Sequence, residues 1–316
     1  MGREGGNGEA DPPVGAGVPE AQAVGVPDEL VAAAGDDLVH PGQSPLYHAE
    51  NAHRYERQEL IRVYEGTFEC RLVVVADMIF PYSMSLFEDL IYDADPGQDL
   101  HLMLSSPGGD GETAVRLVRS AQARCKELTV IVPDQAKSAG TILTLGAHHI
   151  LMGPTSDLGP IDPQMQMPDG KLIAAKDIIA AVTAAEEAVQ ASPETYTIHA
   201  ALLSDVNALM VQQARSALLR SSEIMVEALS SNPDRSPEDV AQLVGSLTPT
   251  LITEPHSHGA ILGVKQAAEI GFPVVAADPS SSQWQLLWRL WTKYFVLSQR
   301  FYEGARASKM IPWPPG

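Results

Sequence analysis

The sequence predicts an α/β fold, a parallel sheet covered by helices with further helices toward the C-terminus, and three observations predict it. Between residues 70 and 152, short β-branched apolar runs alternate with stretches of helical periodicity. Parallel strands need right-handed crossovers that carry a helix, so this alternation reads as βαβ units. Two glycine-bearing turns fall where a strand gives way to a helix, and beyond Pro163 the pattern becomes helical. At 316 residues, 45% of them hydrophobic, the chain has material for one extended domain with attached helices.

The elements follow in order. Residues 1–44 are dominated by Gly, Pro, Ala and acids with no apolar period, which predicts a disordered tail. A main domain is expected over 45–277, and an aromatic amphipathic helix and tail over 278–316. Tyr47 to Glu65 reads as an amphipathic helix leading into the fold. Strands are expected at Arg71–Ala76, Asp99–Leu104, Leu128–Val132 and His149–Met152, with helices at Ser85–Tyr92, Glu112–Lys126 and Ser138–Gly146 between them. Lys176–Gln190 and Thr195–Leu229 are rich in Ala, Leu and Glu and read as helices. Pro237–Leu247 is a helix opened by Ser236 as N-cap with Asp239 three positions on. Ala260–Ile270 is a helix stopped by Gly271, and a short strand at Pro273–Val275 follows it. Trp284 to Phe301 places Trp284, Leu287, Trp288, Trp291, Phe295 and Phe301 near one helical face, a stripe that suits a core or an oligomer contact.

Composition removes several function classes. With 40 acidic against 21 basic residues the net charge is −19, which disfavours a phosphate backbone as partner, so nucleic acid is not expected. The N-terminal stretch lacks a basic start followed by an apolar run, and no segment offers the roughly 18 uninterrupted apolar residues of a membrane span. A cytoplasmic protein is the expectation. Cys70 and Cys125 lie in apolar sequence without CxxC spacing, which predicts buried thiols rather than a disulfide or zinc site. No cofactor or metal is expected. No GxxxxGK[ST] segment occurs, so the chain is not expected to be an ATP-driven motor.

The chemistry concentrates in the two turns, Ser105-Ser106-Pro107-Gly108-Gly109-Asp110-Gly111 and Lys137-Ser138-Ala139-Gly140-Thr141. In a parallel sheet both lie at the carboxyl edge, where open α/β proteins bind ligands. Helix-opening N–H groups have no intrahelical partner and stabilise negative charge. A serine opening a helix beside a Gly-Gly turn can therefore attack an acyl carbon while the N–H groups of Gly109 and Ala139 hold the oxyanion. Two other readings stay open: a phosphate or carboxylate cradle for the first turn, and a plain N-cap for Ser138.

Ser106-Pro107-Gly108-Gly109-Asp110, with Gly109 twenty-nine residues before the serine of Ala136-Lys137-Ser138-Ala139-Gly140-Thr141, resembles the oxyanion loop and nucleophile elbow of Clp peptidases and signal peptide peptidase A. Gly153-Pro154-Thr155-Ser156-Asp157-Leu158-Gly159-Pro160-Ile161-Asp162-Pro163-Gln164 is similar to the serine dehydrogenase proteinase branch. So are His256-Ser257-His258-Gly259-Ala260-Ile261 and Ala267-Ala268-Glu269-Ile270-Gly271. The resemblance covers roughly Glu59 to Val275. It implies a ClpP/crotonase-type spiral of ββα units, a serine peptidase acting on peptides or unfolded proteins, and a homo-oligomer, with the aromatic C-terminal helix as the candidate contact.

One departure bears on mechanism. Clp peptidases bring a histidine from the segment after the nucleophile helix, where this chain reads Ile161-Asp162-Pro163-Gln164. A serine hydroxyl is a weak nucleophile without a neighbouring base. Related peptidases use a lysine at the start of a later helix, and Lys176 falls near that position; a salt bridge on the helix face is its other reading. Lys137 directly precedes Ser138 and is expected to point away from it, and His148 and His149 are expected to be structural. His256 and His258 suit substrate contact, a helix cap or a subunit interface, and Asp162 can orient a base or cap a turn. Without a base, the same fold would be a non-catalytic peptide-binding or scaffold protein. Crotonase-type acyl-CoA chemistry fits less well, because those enzymes commonly carry glycine where Ser138 stands.

Overall fold

The computed structural model describes residues 44–167, 169–255, 257–295, 300–305 and 307–311. The expected N-terminal tail lies outside them apart from Ser44, as does His256.

Helix α1 (Pro45–Phe68) is capped by Ser44, whose hydroxyl accepts from the Tyr47 N–H at 3.2 Å, and leads into β1 (Cys70–Ala76). The predicted alternation follows: α2 (Ser83–Ile91), β2 (Asp99–Ser105), α3 (Gly111–Gln122), β3 (Leu128–Val132), the short β4 (Gln135–Ala136), α4 (Ala139–Leu145) and β5 (His149–Met152). After β6 (Asp157–Leu158), an antiparallel pair β7 (Gln164–Gln166) and β8 (Leu172–Ala174) opens α5 (Ala175–Ala191). The rest comprises α6 (Tyr196–Leu202), α7 (Ala208–Leu229), α8 (Pro237–Thr248), α9 (Val264–Glu269), β9 (Val274–Ala276), α10 (Ser282–Phe295), β10 (Arg300–Gly304) and β11 (Ser308–Ile311).

Among the described residues these strands form a seven-stranded sheet ordered β11-β10-β1-β2-β3-β5-β9. The run from β1 to β9 is parallel, while β10 and β11 join antiparallel at the β1 edge. Both faces are covered, so the strands read as continuous apolar runs. Val73, Val75, Leu102 and Val130 point into the layer containing α2, α3, α4 and α7. Leu72, Val74, Met103 and Ile131 face the opposite layer, made by α1 and α10.

Three sequence expectations are corrected. The helix expected over Thr195–Leu229 breaks between α6 and α7, because Asn207 caps a new helix by accepting from the Met210 N–H at 2.9 Å. The helix expected from Ala260 starts at Val264, and Leu262 instead bridges Leu158. The helix expected to reach Phe301 does not include it: α10 is described over Ser282–Phe295, and Phe301 lies in β10. That strand is tied to α1 by a buried ion pair: Arg57 donates from Nε to Glu303 Oε2 at 2.6 Å, and the Tyr294 hydroxyl donates to the same carboxylate. Buried charge persists only when paired in this way.

The aromatic stripe of α10 is mostly core. Trp284, Leu287, Leu290, Trp291 and Tyr294 are buried against α1 and the sheet, leaving Trp288 and Phe295 exposed. Both cysteines are free and buried; desolvation raises both thiols, that of Cys125 to about 11. Among the described residues no helix is long and apolar enough to cross a membrane.

Candidate active site

Beyond the carboxyl ends of the main strands, the chain makes a second, shorter ladder. Ile79 bridges Gly109, Ser106 bridges Ala136, β4 pairs with β6, and Leu158 bridges Leu262. Strands β1, β2, β3 and β5 are thus each followed by a short extended piece and then a helix or loop. The ladder clamps the two glycine turns together: Ser106 N–H donates to the Gln135 carbonyl and Lys137 N–H to the Ser106 carbonyl, each at 2.9 Å.

Ser138 sits where that ladder turns into α4, with φ 50° and ψ −114°. A non-glycine residue at positive φ is strained, and strain of this kind persists only where the surroundings hold it. Here Gly140 N–H donates to the Lys137 carbonyl at 2.7 Å and Ile142 N–H to the Ser138 carbonyl at 3.0 Å, fixing the turn from inside the helix. The first turn presses on it from outside. A Cβ on Gly108 would lie 2.9 Å from Ser138 Cβ, and one on Gly109 would lie 2.0 Å from the Ile79 carbonyl oxygen. Only glycine fits at either position, and both have the positive φ that glycine tolerates, 120° and 137°.

The bridge to Ile79 also orients the Gly109 amide. Ile79 N–H donates to the Gly108 carbonyl and Asp110 N–H to the Ile79 carbonyl, at 2.8 and 2.7 Å, so the N–H of Gly109 itself points away from that partner. Among the described residues neither the Gly109 nor the Ala139 N–H has a hydrogen-bond acceptor. Two unspent donors beside a half-buried serine are what an oxyanion needs. Asp110 completes the turn by capping α3, its carboxylate accepting from Thr113 N–H at 2.7 Å.

The candidate bases are placed differently. Lys176 Nζ lies 2.8 Å from Asp177 Oδ1, an ion pair between neighbours on the same helix. Lys137 points away from Ser138, as expected: its Nζ donates to the carbonyls of Leu158 at 3.0 Å and Ala260 at 3.2 Å. His148 Nδ1 accepts from the Leu128 N–H at 2.9 Å, and burial lowers its pKa, consistent with a structural role.

The pair that sequence reasoning did not assemble is His258 with Asp162. His258 Nδ1 is 2.8 Å from Asp162 Oδ1, and Gln164 Nε2 donates to the other carboxylate oxygen at 3.0 Å. Asp162 is 1% exposed, whereas the His258 side chain is 33% exposed and its Nε2 has no protein partner among the described residues. A buried carboxylate that fixes one ring nitrogen leaves the other ready to exchange a proton. Both residues lie on segments hooked to the Ser138 turn. Thr141 Oγ1 lies 2.6 Å from the Ala136 carbonyl and 2.9 Å from the Gly159 carbonyl, between which its single proton is shared, and accepts from the Gly159 N–H at 3.1 Å on the Asp162 side. Lys137 holds Ala260 on the His258 side. The available signal was the His-Ser-His segment itself, more than a hundred residues beyond Ser138.

A family model described as ClpP-like SDH-type serine proteinase matches residues 91–287. Two uncharacterized proteins of Methanocaldococcus jannaschii are similar in sequence. One is 36% identical over 72 residues, 23% of this chain and 25% of that protein. The other is 24% identical over 177 residues, 55% of this chain and 51% of that protein. The chain therefore spans a quarter to about half the length of the curated relatives it matches. Among solved structures, ClpP1 from Listeria monocytogenes is 14% identical, with 68% of this chain and 97% of that chain covered and a TM-score of 0.36. A mutant of the 1510-N membrane-bound stomatin-specific protease is 22% identical, with 34% and 57% covered and a TM-score of 0.27.

Proposed function

The chain belongs to the ClpP-like SDH-type serine proteinase family, and on that premise we propose that it is a peptidase whose acyl-enzyme forms on Ser138. The mostly parallel sheet with helices on both faces is the ClpP-like fold of that family. The observation that carries the reading is a strained serine and two unspent N–H donors at one turn, with a histidine paired to a buried aspartate on segments tied to that turn through Lys137 and Thr141.

In the proposed reaction Ser138 Oγ adds to the peptide carbonyl carbon while its proton passes to His258 Nε2. Asp162 holds the ring through Nδ1 and stabilises the imidazolium. The carbonyl oxygen becomes an oxyanion, received by the N–H groups of Gly109 and Ala139. Collapse breaks the C–N bond, and the departing amine takes the proton from Nε2. Water then attacks the ester carbon as His258 accepts its proton, and collapse breaks the C–O bond while Nε2 returns that proton to Ser138 Oγ, releasing the acid. This assignment replaces Lys176 as base and supplies the group whose absence favoured a non-catalytic scaffold.

Peptides or unfolded chains are the substrates this reading implies, and a homo-oligomer is the assembly. The exposed side chains of Leu172 on β8 and of Tyr196, Ile198, Leu202, Leu209 and Leu219 between α5 and the end of α7 support placing the subunit contact on this part of the chain rather than on α10. A fluorophosphonate probe is expected to label the purified protein on Ser138, mapped by mass spectrometry, and to leave Ser138→Ala unlabelled. Attachment at another residue, or an unlabelled wild type, overturns the assignment.

A further inference from the structure

Lys137 stands next to the nucleophile, and its side chain leaves the reacting centre altogether. Its main chain belongs to the Ser138 turn: the N–H donates to Ser106 and the carbonyl accepts from Gly140. Its side chain runs the other way. It passes Gly159, where a Cβ would come within 2.6 Å of Lys137 Cδ, and ends among acceptors from two different segments. Nζ donates to the Leu158 carbonyl at 3.0 Å and the Ala260 carbonyl at 3.2 Å. Asp157 Oδ1 lies 2.9 Å away, close enough for an ion pair though turned off hydrogen-bond alignment. The side chain is only 14% exposed, so these contacts are little screened by solvent.

We propose that Lys137 is a positioning residue that sets the His258 segment against Ser138; this rests on the His258 reading above. The physical case is one of connectivity. The segment carrying Asp162 is tied to the nucleophile helix through Thr141 and Gly159, independently of Lys137. The segment carrying His258 has fewer ties. Leu262 bridges Leu158, the His258 ring meets Asp162, and Ala260 N–H turns back onto Ser257 of the same segment. Among the described residues, the Lys137 ammonium is the one side chain of the Ser138 turn that reaches the backbone of residues 257–262. With donors spent on the carbonyls of two different segments and a carboxylate beside it, its side chain is placed to hold those segments together.

A base displaced by about 1 Å costs on the order of 100-fold in rate. Lys137→Met, which keeps the stem and removes the charge, is therefore expected to slow fluorophosphonate labelling of Ser138 by about that factor. The fall should lie in the labelling rate at saturating probe rather than in the half-saturating concentration. A double-substitution cycle separates positioning from general damage. In a His258→Ala background Lys137→Met is expected to change the residual labelling little, because the group it acts through is gone.

Equal losses in both backgrounds, or an undiminished rate in Lys137→Met alone, overturn the proposal while leaving His258 as base. Full labelling of His258→Ala overturns the catalytic reading instead. Should Lys137→Met fail to fold, Lys137→Gln, which keeps an amide donor for the carbonyls, is measured in the same cycle with an intermediate loss expected.

Discussion

The corner around Ser138 and the α5–α7 arm are built by opposite rules. At the corner backbone meets backbone: two turns are locked by the bridges at Ile79–Gly109 and Ser106–Ala136, and glycine is required because no Cβ fits. The arm is joined by side chains. Its own small apolar cluster is Ala175, Ile178 and Ala214 with their neighbours, and it shows large apolar residues to solvent. Rigidity at the corner keeps reacting groups in register. The arm's surface gains its meaning only when something covers it.

Three substitutions sharpen that contrast, from the largest effect to the smallest. Gly109→Ala puts a methyl 2.0 Å from the Ile79 carbonyl oxygen at a positive φ, and a destabilisation of more than about 3 kcal/mol is expected in chemical denaturation. A mild effect there would mean that the corner yields.

His101, in the body of the sheet, comes next. Its Nδ1 lies 2.8 Å from the Tyr64 hydroxyl, and burial holds its pKa down at about 4 from an ordinary 6.5. Between those values the unfolded chain binds the proton and the folded one does not. Stability is therefore full above about pH 6.5 and falls as the pH drops toward 4, by on the order of 3 kcal/mol. His101→Gln should flatten that part of the melting temperature against pH, and an unchanged slope would place the sensitivity elsewhere.

Leu202→Ser, on the arm, is expected to change the stability of the subunit by less than about 0.5 kcal/mol, because the side chain is 74% exposed. The same substitution should weaken self-association in sedimentation velocity. If it leaves association intact, the subunit contact does not involve this part of the arm.

How much of this was legible in the sequence depended on the range of the interactions. Strands β1, β2, β3 and β5 announce themselves as apolar runs, because burial on both faces is written locally. The Gly-Gly turn and the serine were readable for the same reason: a strand end, a glycine and a helix start are neighbours in the chain. What escaped was long-range. Strands β4 and β6 are two residues each and exist only through pairing with distant segments. Strand β10 carries Phe301, which continues the aromatic stripe of α10, so periodicity extended the helix through it. The His258–Asp162 pair spans ninety-six positions, and nothing in either segment alone distinguishes an oriented base from a capped turn. Lys176 falls near the position of a lysine in related peptidases, yet its neighbour Asp177 supplies a counter-charge on the same helix.

Transfer of the Ser138 proton to His258 is tested most directly by comparing fluorophosphonate labelling rates of the wild type, His258→Ala and Lys176→Ala at neutral pH. A loss of at least about 100-fold is expected for His258→Ala, with Lys176→Ala close to the wild type. A fast His258→Ala together with a slow Lys176→Ala would contradict it and return the base to the start of α5.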